Sequence, residues 1–299
     1  MKAALLPERG VVKVAGENAR HFLNGLATND IGKVAPGSAR FAALLTPQGK
    51  IIVDFLVVEA TPEDGGGFFL DCPRALAPAL VEKLNFYKLR AKVMAEDLSA
   101  TLGVLALWDG TGTTEYGLCY PDPRLPALGQ RFILPPHLVK EAAADLGTNL
   151  GAEVVEASAY EAHRIALGVP RGGLDFMYGD AFPHETDMDQ LNGVDFAKGC
   201  YVGQEVVSRI EHRGSARKRI VQFTTDTFAP DAGVPVMAGS KQIGITGSAA
   251  GPKGLAMLRL DYLSDAQASG TPIMAGSAVI RPHKPQWARF EWPGEKGTA

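Results

Sequence analysis

The sequence is poor in cysteine, has no excess of either charge, and lacks long apolar runs. Three cysteines in 299 residues, Cys72, Cys119 and Cys200, are too few and too unevenly spaced for a disulfide framework or a CxxC metal site. That scarcity fits a reducing compartment, so a cytoplasmic location is expected. No apolar stretch approaches the ~20 residues of a membrane span, and the N-terminus reaches Pro7, Glu8 and Arg9 too soon for a signal-peptide core. A non-exported chain without a membrane partner is expected. Thirty Lys and Arg stand against 33 Asp and Glu, a net charge of -3, so there is no global basic field to hold nucleic acid. Direct nucleic-acid binding is not expected, and any anionic partner must be met locally.

What is present is ordinary globular material. With 46% hydrophobic and 21% charged residues the chain can bury a core, and its length allows two domains with room for a third small one. The 34 glycines and 20 prolines fall between short alternating apolar segments, which predicts many strands joined by tight connections. Val11 to Val14 reads as a strand. Ala19, Phe22, Leu23 and Leu26 then recur at helical spacing. Phe41 to Leu45 and Ile51 to Val58 flank Thr46-Pro47-Gln48-Gly49, the composition of a hairpin turn. Residues 74 to 86 have helical periodicity, and strands are expected near 90 to 97, 101 to 108, 115 to 120 and 131 to 134. Ser158 and Glu161 match a capping box for a helix ending at Gly168. From Ile220 onward, short apolar runs between glycines predict a terminal all-β sandwich or barrel, and the last nine residues should fray. The basic run from His212 to Arg219 reads first as a solvated linker; its alternative role is to draw in the glutamate tail of a small ligand or an acidic protein partner.

The most informative stretch is Lys198-Gly199-Cys200-Tyr201-Val202-Gly203-Gln204-Glu205, followed by Val206, Val207 and Ile210 on a helical face. A cysteine just ahead of a helix meets unpaired N–H groups and the positive end of the dipole, both of which favour thiolate, and Lys198 would add to the effect. Gly199 and Gly203 allow a sharp turn and close approach of a ligand, while Gln204 and Glu205 offer hydrogen-bonding groups. Cys200 is the candidate reactive thiol, whereas Cys72 and Cys119 alternate with apolar neighbours and read as packed residues. His184, Glu185, Asp187 and Asp189 cluster in sequence, and His212 follows Glu211, but neither group has a zinc-ligand spacing and no metal site is expected. A lone Cys200 offers one thiolate where a metal cluster needs about four ligands, so it cannot hold one by itself. A cysteine hydrolase would need a histidine beside Cys200, and the spacing of His163, His184 and His212 gives no support for one.

The octet at 198–205 resembles the signature of YgfZ-type proteins, relatives of the glycine-cleavage T-protein, an aminomethyltransferase that uses tetrahydrofolate. Residues 22–30, the turn before Asp54, residues 87–93 and Gly168-Val169-Pro170 fit the same family in order, so the resemblance covers most of the chain. It implies an α+β, T-protein-like ring of three domains. The first would be built from residues 1–42 and 150–213, the second inserted at 43–149, and a C-terminal β-barrel would occupy 214–299. The resemblance further implies a folate-binding factor for assembly, maintenance or repair of iron-sulfur clusters in target enzymes, radical-SAM tRNA-modifying enzymes among them. Its partners would then be tetrahydrofolate or a folate derivative and iron-sulfur client or assembly proteins.

On this resemblance Asp175 falls where the T-protein has a pterin-contacting acid, and Glu185 resembles a second polar position. A carboxylate suits a pterin edge because it accepts in bidentate fashion. Gly199, Tyr201, Gly203, Gln204 and Glu205 would complete the folate contacts, with Cys200, Lys198 and Asp54 carrying chemistry. Where the T-protein strand has two adjacent aspartates, this chain has Val53 and Asp54. Aminomethyl transfer is therefore the alternative reading.

Overall fold

The computed structural model describes residues 1–146, 151–214 and 216–294. Part of the expected fraying segment, residues 295–299, lies outside them, as do Ser215 of the basic run and the domain boundary near 150. The chain divides into two compact units, residues 1–160 with 191–204, and residues 161–190 with 205–299.

The first unit holds two five-stranded sheets. One runs in the order Arg40–Leu45, Ile51–Glu59, Phe68–Pro73, Arg9–Ala15 and Met94–Asp97, all antiparallel. Its strands alternate as a half-buried sheet requires. Val12, Val14, Phe55, Val57 and Leu70 point to a core closed by Leu23 of the Ala19–Asn24 helix and by Leu80 and Leu84 of the Ala77–Tyr87 helix. The other sheet runs Glu153–Val154, Lys2–Leu5, Gly103–Trp108, Gln130–Leu134 and Leu118–Pro121, and the Val139–Asp145 helix covers it through Val139, Ala142 and Ala143.

A buried ion network ties these two sheets together. Asp71 accepts from Arg9 Nε at 2.6 Å, from Arg131 Nη1 at 2.7 Å and from the Tyr120 hydroxyl at 3.0 Å. Arg131 continues to Asp122 at 2.9 Å, and Asp122 also receives Arg124. Despite burial, which opposes the charge, the arginines hold Asp71 and Asp122 below the usual carboxylate range.

In the second unit a seven-stranded sheet runs Ala278–Val279, Ile273–Ala275, Pro235–Ala238, Lys241–Ala250, Lys253–Arg259, Lys218–Thr224 and Arg281–His283. Val221, Phe223, Val236, Leu255 and Leu258 are buried, and Val221, Phe223, Val236 and Leu258 share one core with Leu263 and Ala266 of the Leu260–Ala268 helix. That helix interrupts the all-β reading of the terminal region. The expected α+β architecture, with a terminal barrel-type sheet, is present. Among the described residues no helix is long and apolar enough to cross a membrane.

One local expectation is corrected. The Ala157–Leu167 helix already contains Ser158, so the capping box does not form; Glu161 instead chelates Arg164 at 2.8–3.1 Å and pairs with Arg171. Two strong cationic partners outcompete a single backbone N–H for that carboxylate.

Candidate functional site

The octet spans the junction of the two units, and its residues are described here within their own unit. In the first unit, Lys198 is buried and its ammonium donates to three backbone carbonyls, Asn24 at 2.7 Å, Ala27 at 2.6 Å and Asn29 at 3.0 Å. All three of its N–H groups are used. Burial lowers the Lys198 pKa to about 8, opposed by the nearby carboxylates of Asp30 and Asp195. Lys198 thereby acts as a clamp that seats the loop on the end of the Ala19–Asn24 helix.

Thr28 and Asn29 complete this seat. Thr28 Oγ1 donates to the Gly193 carbonyl at 2.6 Å and accepts from Ala43 N at 2.9 Å, while Asn29 Nδ2 bridges the Phe41 and Asn192 carbonyls at 2.8 and 2.7 Å. Asp195 accepts from Lys33 at 2.5 Å, and its own N–H donates to the Thr28 carbonyl. A short polar run, Thr28-Asn29-Asp30, thereby pins residues 192–198 to the edge strand Arg40–Leu45. This run lies within residues 22–30, the stretch that resembles the family pattern, where the resemblance alone assigns it no role. Its signal was a cluster of small polar side chains at a helix end, where backbone groups need partners.

Beyond the clamp, Gly199 has open space where a side chain would stand, and Cys200 is an exposed free thiol. Tyr201 turns inward; burial pushes its hydroxyl up to about 12, and its ring centroid lies 5.0 Å from the Lys198 ammonium. Val202 joins the helical core. Gly203 has φ of +84°, and a Cβ there would stand 2.6 Å from the Thr46 carbonyl and 3.2 Å from Gly49 Cα. Only glycine fits a left-handed residue pressed on a neighbouring turn. The turn is the expected hairpin of residues 46–49, so the two most distinctive stretches of the sequence meet at this contact. The Gln204–Arg213 helix follows, with exposed Glu205 in its first turn.

The hairpin also carries Asp54. Val53, Phe55 and Val57 face the helical core, so Asp54 lies on the opposite face of the sheet, the face of Asp71, and its charge acts on Arg9. It is buried, and it belongs to the electrostatic surroundings of the ion network.

The other two thiols differ from Cys200. Burial pushes Cys72 up to about 12 and Cys119 up to about 11, and Cys119 Sγ accepts from Gln130 at 3.3 Å. Both stay protonated near neutral pH.

In the second unit, Asp175 has no exposed side-chain surface. One oxygen accepts from Arg164 Nη1 at 2.9 Å and Arg171 N at 2.7 Å, the other from Ser248 N at 2.7 Å and Ser248 Oγ at 2.6 Å. Gly247 lies so close that a Cβ there would stand 2.4 Å from the Asp175 carboxylate. A carboxylate with four internal donors has no free pair of acceptors for a pterin edge, so Asp175 is corrected from a ligand contact to an internal strut. Glu185 is half-buried; one oxygen accepts from Phe182 N at 3.0 Å, and the residue lines a cavity with Phe182, Val206 and Ile210.

The basic run is likewise not uniformly solvated. Arg219 is buried and donates to Asp189 at 2.6 and 2.9 Å, to Asp187 at 3.3 Å and to the His184 carbonyl at 2.6 Å. His184, Asp189 and Glu211 come together as three groups of metal-ligand type, and His184 Nε2 lies 3.0 Å from Glu211. Arg219 already pairs with Asp189, so the cluster is a hydrogen-bonded knot around that ion pair.

Comparison with known proteins gives this architecture relatives. Residues 8–110 match the family described as GCVT N-terminal domain, and residues 217–290 the family described as CAF17, C-terminal beta-barrel domain. Iron-sulfur cluster assembly factor IBA57 homolog, mitochondrial, from Mycosarcoma maydis is 33% identical over 93% of this chain and 70% of its own length. Iron-sulfur cluster assembly factor IBA57, mitochondrial, from Homo sapiens is 30% identical over 85% of this chain and 76% of its own. The crystal structure of glycine cleavage system aminomethyltransferase T from Bartonella henselae superposes with a TM-score of 0.74 over 97% of this chain and 87% of that one, at 16% identity, a likeness of fold. These curated relatives are named mitochondrial, which overturns the cytoplasmic location expected from the cysteine count.

Proposed function

We propose, for a chain that belongs to the IBA57 family of iron-sulfur cluster assembly factors, that it acts in assembly or maintenance of iron-sulfur clusters through Cys200. The observation that carries this reading is an exposed thiol on a loop fixed on both sides, by the Lys198 clamp and by Gly203 against the hairpin. A cluster is cargo here. Cys200 gives its proton to solvent, and its sulfur takes one coordination position on an iron whose remaining ligands come from the delivering or receiving protein. A prepositioned loop lowers the ordering entropy of that shared ligation. Buried Cys72 and half-buried Cys119 are poorly suited to the same task.

The test is anaerobic transfer of a cluster from a loaded assembly protein to an apo client, followed by visible absorption and electron paramagnetic resonance. Cys200→Ser should abolish the acceleration by this protein while leaving its circular dichroism unchanged. Undiminished transfer would refute the reading. Radical-SAM tRNA-modifying enzymes belong to the proposal as targets, checked by their activity in cells carrying the same variant.

A YgfZ-type capacity to bind tetrahydrofolate or a folate derivative is the finer part of the proposal. Asp175 does not fit it, for the reason given above, and Gly203 is committed to the hairpin. Support comes from Gly199, whose backbone is open to approach, and from the exposed Glu205. Anaerobic calorimetric titration with tetrahydrofolate decides it. Saturable binding supports a folate role, whereas silence at millimolar ligand removes folate and leaves the cysteine reading intact.

A further inference from the structure

The second unit contains a cavity of about 390 Å³ between the Gln204–Arg213 helix and the start of the Lys218–Thr224 strand. Its apolar floor is made by Val206, Ile210 and Phe182. Its walls carry Arg209, Arg213, Arg217 and Lys218, exposed cations whose side chains meet no carboxylate among the described residues. A fifth cation, Arg259, is already held by Asp261 at 2.5 and 3.0 Å and stacks on Tyr262. Glu185 is the only acid in the lining, and one of its oxygens is occupied by the Phe182 N–H. An acidic chain, net charge -3, has thus collected four unpaired cations around one apolar hollow.

We propose that this cavity docks an acidic peptide segment of a partner protein, with aliphatic side chains on Val206 and Ile210 and carboxylates on the surrounding cations. The identity of that partner as an iron-sulfur client or assembly protein rests on the function proposed above; the docking chemistry does not. Arg209 and Arg213 are four residues apart on one helix face, a spacing of roughly 6 Å, which matches carboxylates two apart on an extended segment. Arginine forks take carboxylates in bidentate fashion, and binding two or more acids relieves the mutual repulsion of the four cations. The volume lies near the low end of the ~300–1,000 Å³ of small-ligand pockets, enough for a few side chains. Nucleic acid fits less well: the lining holds one phenyl ring, Phe182, and one imidazole, His184, already bonded to Glu211, so successive bases have no run of stacking platforms.

The experiment is fluorescence anisotropy of the full chain with a fluorescein-labelled dodecapeptide of alternating Glu-Glu and Leu-Leu pairs. Its Lys-for-Glu counterpart, tri-γ-glutamate and a labelled oligouridylate serve as competing probes. The acidic peptide should bind with an affinity that falls as salt rises. The double variant Arg213→Glu, Arg217→Glu should weaken it about tenfold or more, and Ile210→Ser should weaken it separately. Equal binding of the Lys peptide, of tri-γ-glutamate or of oligouridylate would overturn the assignment, as would an unaffected charge-reversal variant. Arg209→Gln repeats the test with a milder change should the double variant fold poorly. Cys200→Ala separates this surface from the cysteine reading: unchanged peptide binding supports an independent dock, and lost binding overturns it.

Discussion

Replacing Lys198 by Met keeps the aliphatic stem and removes the ammonium that joins the cysteine loop to the carbonyls of Asn24, Ala27 and Asn29. Hydrogen bonds to a charged group contribute about 1.5–3 kcal/mol each. Burying the ammonium opposes that gain, and freed carbonyls recover part of it from water, so about half the gross sum remains, roughly 2–4 kcal/mol. Global unfolding is a poor readout in a chain of two compact units, because a single transition is not assured. Hydrogen exchange read by mass spectrometry on peptides covering residues 191–204 measures the local opening directly. At 1.4 kcal/mol per factor of ten, protection there should fall about 30- to 700-fold. Peptides from the Lys253–Arg259 strand should keep their protection. Equal exchange of residues 191–204 in Lys198→Met and the parent protein would refute the clamp.

Ellman's reagent should titrate one fast thiol per native chain, and none in Cys200→Ser, because burial keeps Cys72 and Cys119 protonated; two fast thiols would contradict the burial argument. Gly203→Ala should destabilise the loop by about 1–3 kcal/mol, since a side chain there is both left-handed and in contact with Thr46, and hydrogen exchange at residues 46–49 should report it. Asp71→Asn should cost about 3–5 kcal/mol by leaving Arg9 and Arg131 buried with a weakened partner, measured by urea midpoint. The folded-state pKa of Asp71 is depressed, so its contribution is complete above the unfolded value near 3.8 and is lost as pH falls through the lower folded value; parent and variant midpoints should converge in acid. For Lys198 the direction is the same in a more alkaline window: it loses its proton near 8 when folded and near 10.5 when unfolded, so its contribution to stability rises with pH between those values.

Local patterns were legible where backbone chemistry decides the outcome. The hairpin around residues 46–49, the short helix after Gly16, the helix after Pro73 and the helix following Gly203 follow from turn residues and periodicity. The Leu260–Ala268 helix is not legible in the sequence because it is only nine residues long and sits among strand-like runs. Ser158 and Glu161 matched a capping pattern, but a sequence pattern does not show that two arginines stand within reach of Glu161.

The sequence alone determined that Cys200 stands apart from the other cysteines, because glycines flank it and a helix follows, and it determined the α+β character and the family likeness. Tertiary structure decided what the charged residues do. Lys198 became a clamp because three carbonyls converge on it, Asp175 a strut because Arg164 and Ser248 close on both its oxygens, and Arg219 a buried pivot while its neighbours Arg217 and Lys218 stayed free. A charged side chain takes its role from the partners that long-range folding brings within about 3 Å, and local sequence carries no record of that distance.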